Sequence, residues 1–187
     1  KNYASKIWRP SAFRTGRYPT CGCIHEGRLC YCMNRYVFLS KSDAYDNFSL
    51  TDAKGIVTAS NAMTVTINMK QANDIVWCAS DRNLMIGTNN EEYAIKADDY
   101  GTTLTPTTIK AQQQSTVGSV FYPVTLTDSG IIAIKKFGKK AIFYAYSADS
   151  YRYGYKDLNL YNEDITTVGI NDVTYTSDPT PILWLSL

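Results

Sequence analysis

Asn73-Asp-Ile-Val-Trp-Cys-Ala-Ser-Asp-Arg-Asn-Leu-Met-Ile-Gly-Thr-Asn-Asn-Glu-Glu-Tyr-Ala-Ile95 is the stretch that decides the fold. It reads as three short strands over Ile75–Ala79, Leu84–Thr88 and Glu92–Ala97. Ser80-Asp-Arg-Asn83 separates the first pair and Asn89-Asn90 the second. Both breaks carry Asn, Asp or Ser, residues that accept the backbone angles of tight turns. Trp77, Ile86 and Ile95 suit a pleated, half-buried surface. No helical period fits, so the stretch predicts an up-down-up β-meander.

On either side the same pattern recurs. Upstream, Ala62–Met69 alternates and reads as a strand. Before it, Ser42–Thr51 is a loop in which Asp43, Asp46 and Asn47 form turns and Tyr45 and Phe48 act as anchors. Thr20–Ile24 and Leu29–Met33 form a hairpin about His25-Glu-Gly-Arg28, and Arg35–Lys41 follows as a further strand. Residues 1–19 read as an arm or lead-in, because Pro10 and Pro19 force extended backbone before them. Downstream, Asp98–Thr108 is a turn-rich loop, and Gln112–Gly118 is polar and either extended or irregular. Ile131–Lys135 and Lys140–Tyr146 make a hairpin about Phe137-Gly138. Asp149–Leu160 is a Tyr-rich loop leading into a short extended piece, and residues 171–176 and 182–187 are the last strands.

Strand groups thus return about every forty to fifty residues, a spacing that suits four-stranded propeller blades or, equally, a β-sandwich. The expected class is all-β, with residues 20–187 as one domain. Composition agrees: of 187 residues 44% are hydrophobic, 19% are charged and 15 are Tyr, which places the chain with globular proteins rich in strand formers. A net charge of +2 gives no general drive toward nucleic acid or anionic membrane. No run of about eighteen apolar residues occurs, so no helical membrane span is expected. The chain opens on Lys1 without an initiator Met and stops within the apolar run Trp184-Leu-Ser-Leu187, which suggests a fragment or a processed product.

Cys21, Cys23, Cys30 and Cys32 are the sharpest chemical candidates. A turn centred on Glu26-Gly27 places Cys23 opposite Cys30 and Cys21 opposite Cys32, with all four sulfurs on one face. Three readings stay open: small thiols packed between sheets, two cross-strand disulfides, or a zinc site of thiolates. The metal reading meets an obstacle, since residues two apart along a strand are roughly 7 Å apart. Cys78 reads as core. His25 is the only histidine and reads as a turn or surface residue. A hydrolytic triad would have to use it, and no motif surrounds any Ser. Asp98-Asp99 and Glu91-Glu92 lie in or beside turns, where acids occur for local reasons. No enzyme and no cofactor are expected. Lys135, Lys136, Lys139 and Lys140 bracket the Phe137-Gly138 turn, as a basic finger for nucleic acid or as a solvated tip that guards strand ends. Tyr151, Tyr153 and Tyr155 offer an aromatic face for sugar or protein, or packing between subunits or blades.

Taken in order, these pieces resemble one family, the tail tubular protein B or tail nozzle proteins of short-tailed bacteriophages. Arg17-Tyr-Pro19 followed by Cys23-Ile-His-Glu-Gly-Arg-Leu29 is similar to that family's opening. Tyr45-Asp-Asn-Phe-Ser49 resembles its Asp-Tyr-x-Asn-Phe segment. Asp74-Ile-Val-Trp77 and Leu84-Met-Ile-Gly-Thr88 resemble its core. Leu104-Thr-Pro106, Gln114-Ser115, Gly118, Pro123-Val124, Phe137-Gly138, Tyr144–Ser147, Asp149–Tyr151, Asp157-Leu158 and Pro181-Ile-Leu-Trp184 continue the series. Two departures stand out. Cysteines occupy positions where the family prefers aliphatics or aromatics, which weighs against a metal site, and Tyr93 stands in place of a Trp. The resemblance implies a structural virion protein, made in the bacterial cytoplasm, built around a β-propeller with insertions. It implies self-association into a ring, typically hexameric, contacts with other tail proteins, and transient contact with DNA leaving through the ring. It implies no catalytic site. The alternative is a host-receptor or glycan-binding β-domain, and an enzyme acting on surface polysaccharide is a third class.

Overall fold

Side chains two apart along a strand share a face, so a strand whose residues are apolar without a break must be covered on both faces. Leu84–Thr88 is fully buried along its length, and so is Gly130–Ile134. Both lie inside a stack of sheets. The structure, a computed structural model, describes residues 18–70, 73–98, 102–122 and 124–187. The expected lead-in falls mostly on residues 1–17, outside the described residues.

The first sheet takes β1 (Cys21–His25), β2 (Arg28–Met33), β3 (Tyr36–Leu39) and β4 (Met63–Thr66) in chain order. The second takes β5 (Ile75–Ser80), β6 (Leu84–Thr88), β7 (Glu92–Ala97) and β8 (Ile109–Ser115), again in order. The third takes β9 (Thr125–Thr127), β10 (Gly130–Ile134), β11 (Ala141–Ser147) and β12 (Arg152–Asp157). A hairpin, β13 (Asp172–Thr176) with β14 (Ile182–Ser186), follows a 3-10 turn at Glu163–Thr166. Every pairing is antiparallel. The chain is all-β, as expected, with no closed barrel among the described residues. No helix among them is long and apolar enough to cross a membrane.

The sheets pack face to face in chain order. One face of the second sheet sets Cys78, Leu84, Ile86, Tyr93 and Ile95 against Cys30, Cys32, Val37, Leu39 and Met63 of the first. Its other face sets Trp77, Ala79, Met85 and Ala94 against Ile131, Ala133, Ile142, Tyr144 and Tyr153 of the third. The far face of the third sheet sets Ile132, Ile134 and Ala141 against Val173, with Leu183 and Leu185 packed alongside. A register shift between Ile75 and Trp77 turns Val76 and Trp77 toward the same neighbour, as a β-bulge does. The order is therefore a succession of stacked sheets, not the two opposed sheets of a simple sandwich.

Three expectations are sharpened or corrected. Of the polar stretch Gln112–Gly118, expected as extended or irregular, residues 112–115 are extended, within β8 (Ile109–Ser115). Where a Tyr-rich loop leading into a short extended piece is expected over 149–160, Arg152–Asp157 form β12. Tyr45 is exposed rather than an anchor, although Phe48 stacks on Tyr31 with ring centroids 6.0 Å apart.

Candidate functional sites

The β1–β2 turn holds Glu26 and Gly27 at φ of 46° and 66°. Paired positive φ angles are what a two-residue hairpin turn requires. They fix the register at Cys21↔Cys32 and Cys23↔Cys30, as the sequence predicts. All five cysteines are free thiols. Cys21 and Cys23 pack beside Cys30, Cys32 and Cys78 in the seam between the first two sheets. The Sγ atoms of Cys21, Cys32 and Cys78 lie within 4.8 Å of one another. Cys78 comes from β5, and only the packing of β5 on the first sheet brings it there. Its sequence neighbours give no sign of the association. Hydrogen bonds from Cys32 and Cys78 hold the Cys21 thiol below its ordinary pKa against the opposing effect of burial. Cys23 is lowered likewise, chiefly by Cys30. Cys30, Cys32 and Cys78 are raised, each first by its bond to a neighbouring thiol and also by burial. A cleft of about 320 Å³, lined by Thr20, Cys21, Trp77, Cys78, Phe121 and Tyr122 among others, reaches two of the clustered thiols from the surface.

His25 ends β1 and is buried, correcting its reading as a turn or surface residue. Its Nδ1 lies 2.8 Å from Ser80 Oγ at the end of β5. Nε2 stands 3.9 Å from Glu26 Oε1, too far for an orienting hydrogen bond. The pair ties sheet one to sheet two. Burial lowers the His25 pKa from 6.5, with Glu26, Cys23 and Asp81 partly opposing. The unfolded chain therefore binds the proton more readily. Stability should be full above the unfolded value and fall as pH drops through it toward the folded value. Thermal melts between pH 7.5 and 5 are expected to show this loss. His25→Asn, which keeps a partner for Ser80 but does not titrate, should flatten it. An unchanged slope would place the acid-sensitive group elsewhere.

A larger cleft of about 670 Å³ opens beside His25 and Glu26, and Arg82, Lys96, Tyr146 and Tyr151 contribute to its lining. The Arg82 guanidinium lies 4.6 Å from the Tyr146 ring centroid, within cation–π range. Tyr146 meets Tyr153 edge-on at 5.4 Å. The three candidate tyrosines do not form one exposed surface, because they differ in burial. Tyr153 is 3% exposed, and its hydroxyl donates to Asp81 Oδ2 at 2.8 Å and accepts from the Asn83 N–H at 3.2 Å. It packs between sheets two and three, and burial raises its pKa. Tyr151 is 59% exposed at φ 53°, and Tyr155 is also exposed, 6.5 Å from the Tyr144 ring.

The lysines also divide. Lys136 is exposed, reaches Asn90 Oδ1, and lies 5.7 Å over the Phe137 ring. Lys140 Nζ pairs with Asp157 Oδ2 at 3.6 Å, and Lys135 is half-buried while Lys139 is exposed. The turn carbonyl of Gly138 accepts from the Ile170 N–H at 2.7 Å, so the tip is held against the following segment. Sequence reasoning also passed over Arg82, Tyr146 and Ser80, which reach their partners only through tertiary packing. Against protein-family models and curated protein sequences, this chain finds no match.

Proposed function

We propose that this chain is a structural protein of a phage tail, of the nozzle kind, whose meanders are blades of a partial propeller. The whole protein would assemble into a ring, hexameric by the resemblance, bind other tail proteins, and let DNA leave during ejection. The observation that supports this reading is the regular succession of antiparallel meanders, each stacked on the next in chain order. Propeller blades are arranged that way. A net charge of +2 suits a passage that does not grip passing DNA. The test is electron microscopy of the full gene product, with co-purification of tail proteins. A ring that carries tail partners is the expected result. A protein that forms no ring and captures no tail protein would overturn the proposal.

The second reading, a receptor- or glycan-binding domain, draws on the 670 Å³ cleft with exposed Tyr151 among its lining residues. Absence of a ring together with glycan-array binding that Tyr151→Ala removes would favour it. Tyr153 is unsuited to that test, because its loss would disturb the core.

A further inference from the structure

We propose that Cys21, Cys32 and Cys78 form a thiolate site for a thiophilic d10 cation of the Zn²⁺ class, placed at the seam between the first and second sheets. Thiolates held tetrahedrally at ~2.3 Å from zinc stand ~3.8 Å apart. The three Sγ atoms already lie within 4.8 Å of one another, so small rotations about χ1 close the remainder. The obstacle seen in the sequence, Cys21 and Cys23 spaced too widely along one strand, does not apply to this trio. Two thiols come from directly opposed positions of a hairpin, and the third descends from the facing sheet.

Chemistry and access agree with distance. Cysteine thiolates suit zinc and copper(I) over the hard cations. The cleft of about 320 Å³ is lined by Cys21 and Cys78, which gives an ion a path and leaves room for water at a fourth position. Cys32 is fully buried, a fixed ligand at the back of the site. Cys30 lies opposite Cys23 in the hairpin and stands outside the trio. Loading by a divalent ion breaks three S–H bonds, forms three metal–sulfur bonds and releases three protons, so affinity rises with pH. Three thiolates and one divalent cation carry a net charge of −1, less costly to hold in a seam than the −2 of a four-thiolate site.

The test uses the reduced, full chain under anaerobic conditions, titrated with Co²⁺ as a spectroscopic probe and then with Zn²⁺. About one Co²⁺ per chain is expected, with thiolate-to-cobalt charge-transfer absorption that Zn²⁺ bleaches. Cys78→Ala and Cys32→Ala should lose that absorption, while Cys30→Ala, an equally buried thiol, should keep it. Circular dichroism checks that each variant folds. Cys21→Ser, at the half-buried edge of the cluster, serves if the core variants do not. No absorption in the reduced parent chain overturns the proposal. So does absorption that survives in folded Cys78→Ala or Cys21→Ser, or a Cys21–Cys32 disulfide in protein alkylated at lysis.

Discussion

Gly87→Ala is expected to destabilise the chain by about 3 kcal/mol or more, the range in which overpacking passes into loss of a core aromatic. Gly87 on β6 pairs with Trp77 on β5. A Cβ built on Gly87 would stand 2.0 Å from Trp77 Cε2 and 2.1 Å from Nε1. No relaxation of a flexible chain end relieves that contact, because the atoms belong to a rigid indole. Trp77 is 2% exposed, and its ring lies 6.2 Å from that of Tyr144 in the interface with the third sheet. Strand propensity pulls the other way, since alanine is favoured over glycine by roughly 0.5–1 kcal/mol in a strand interior. The steric term is several times larger and decides the sign. Denaturant melts should show a lower midpoint with an unchanged slope. In a Trp77→Leu background the cost of Gly87→Ala should shrink to under about 1 kcal/mol, because the indole is gone. A variant with the parent midpoint would mean that Trp77 does not rest on Gly87.

Arg28→Met should cost about 3–5 kcal/mol, comparable to breaking a buried charged network. Arg28 is 1% exposed. Its Nη1 donates to the carbonyls of Ser40 at 2.7 Å and Asn61 at 2.8 Å, and Nη2 donates to that of Ala59 at 2.8 Å. These carbonyls belong to the two ends of the long connection between β3 and β4, so one guanidinium closes that loop. Methionine fills much of the volume but leaves the acceptors without donors. Lysine should rescue poorly, as a point charge cannot reproduce the forked donors. Limited proteolysis adds a local readout. Cleavage within residues 50–60 should quicken well before global unfolding. If the loop stays as resistant as in the parent chain, Arg28 is not its clasp.

How far the fold was legible depended on where its determinants lie. Leu84–Thr88 and Glu92–Ala97 carry apolar and β-branched residues between polar turns, and both strands appear with the predicted bounds. Cys23↔Cys30 followed from a local turn. In contrast β8, Ile-Lys-Ala-Gln-Gln-Gln-Ser, alternates only over its first four residues and ends in an unbroken polar run. It is a strand because β7 offers it an open edge, with Gln113 donating to Glu91 and Ser115 to Glu92. The tyrosines and Gly154 of β12 resembled a loop until β11 supplied a partner. For the candidate sites the limit was sharper. A sequence gives the hairpin thiols, but Cys78 joins them across a sheet interface. His25 looks like a turn residue until Ser80 covers it.

The succession of sheets also governs how the molecule comes apart. Each sheet buries its apolar side chains against the next in chain order, so its energetics resemble a short one-dimensional chain of nearest-neighbour couplings. The second and third sheets each hold two such couplings, and the first sheet and the terminal hairpin one each. The outer side of that hairpin leaves Ile182 and Trp184 exposed. Opening is therefore expected to start at the β13–β14 end, and the second and third sheets, each coupled on both sides, to release their amides to solvent last.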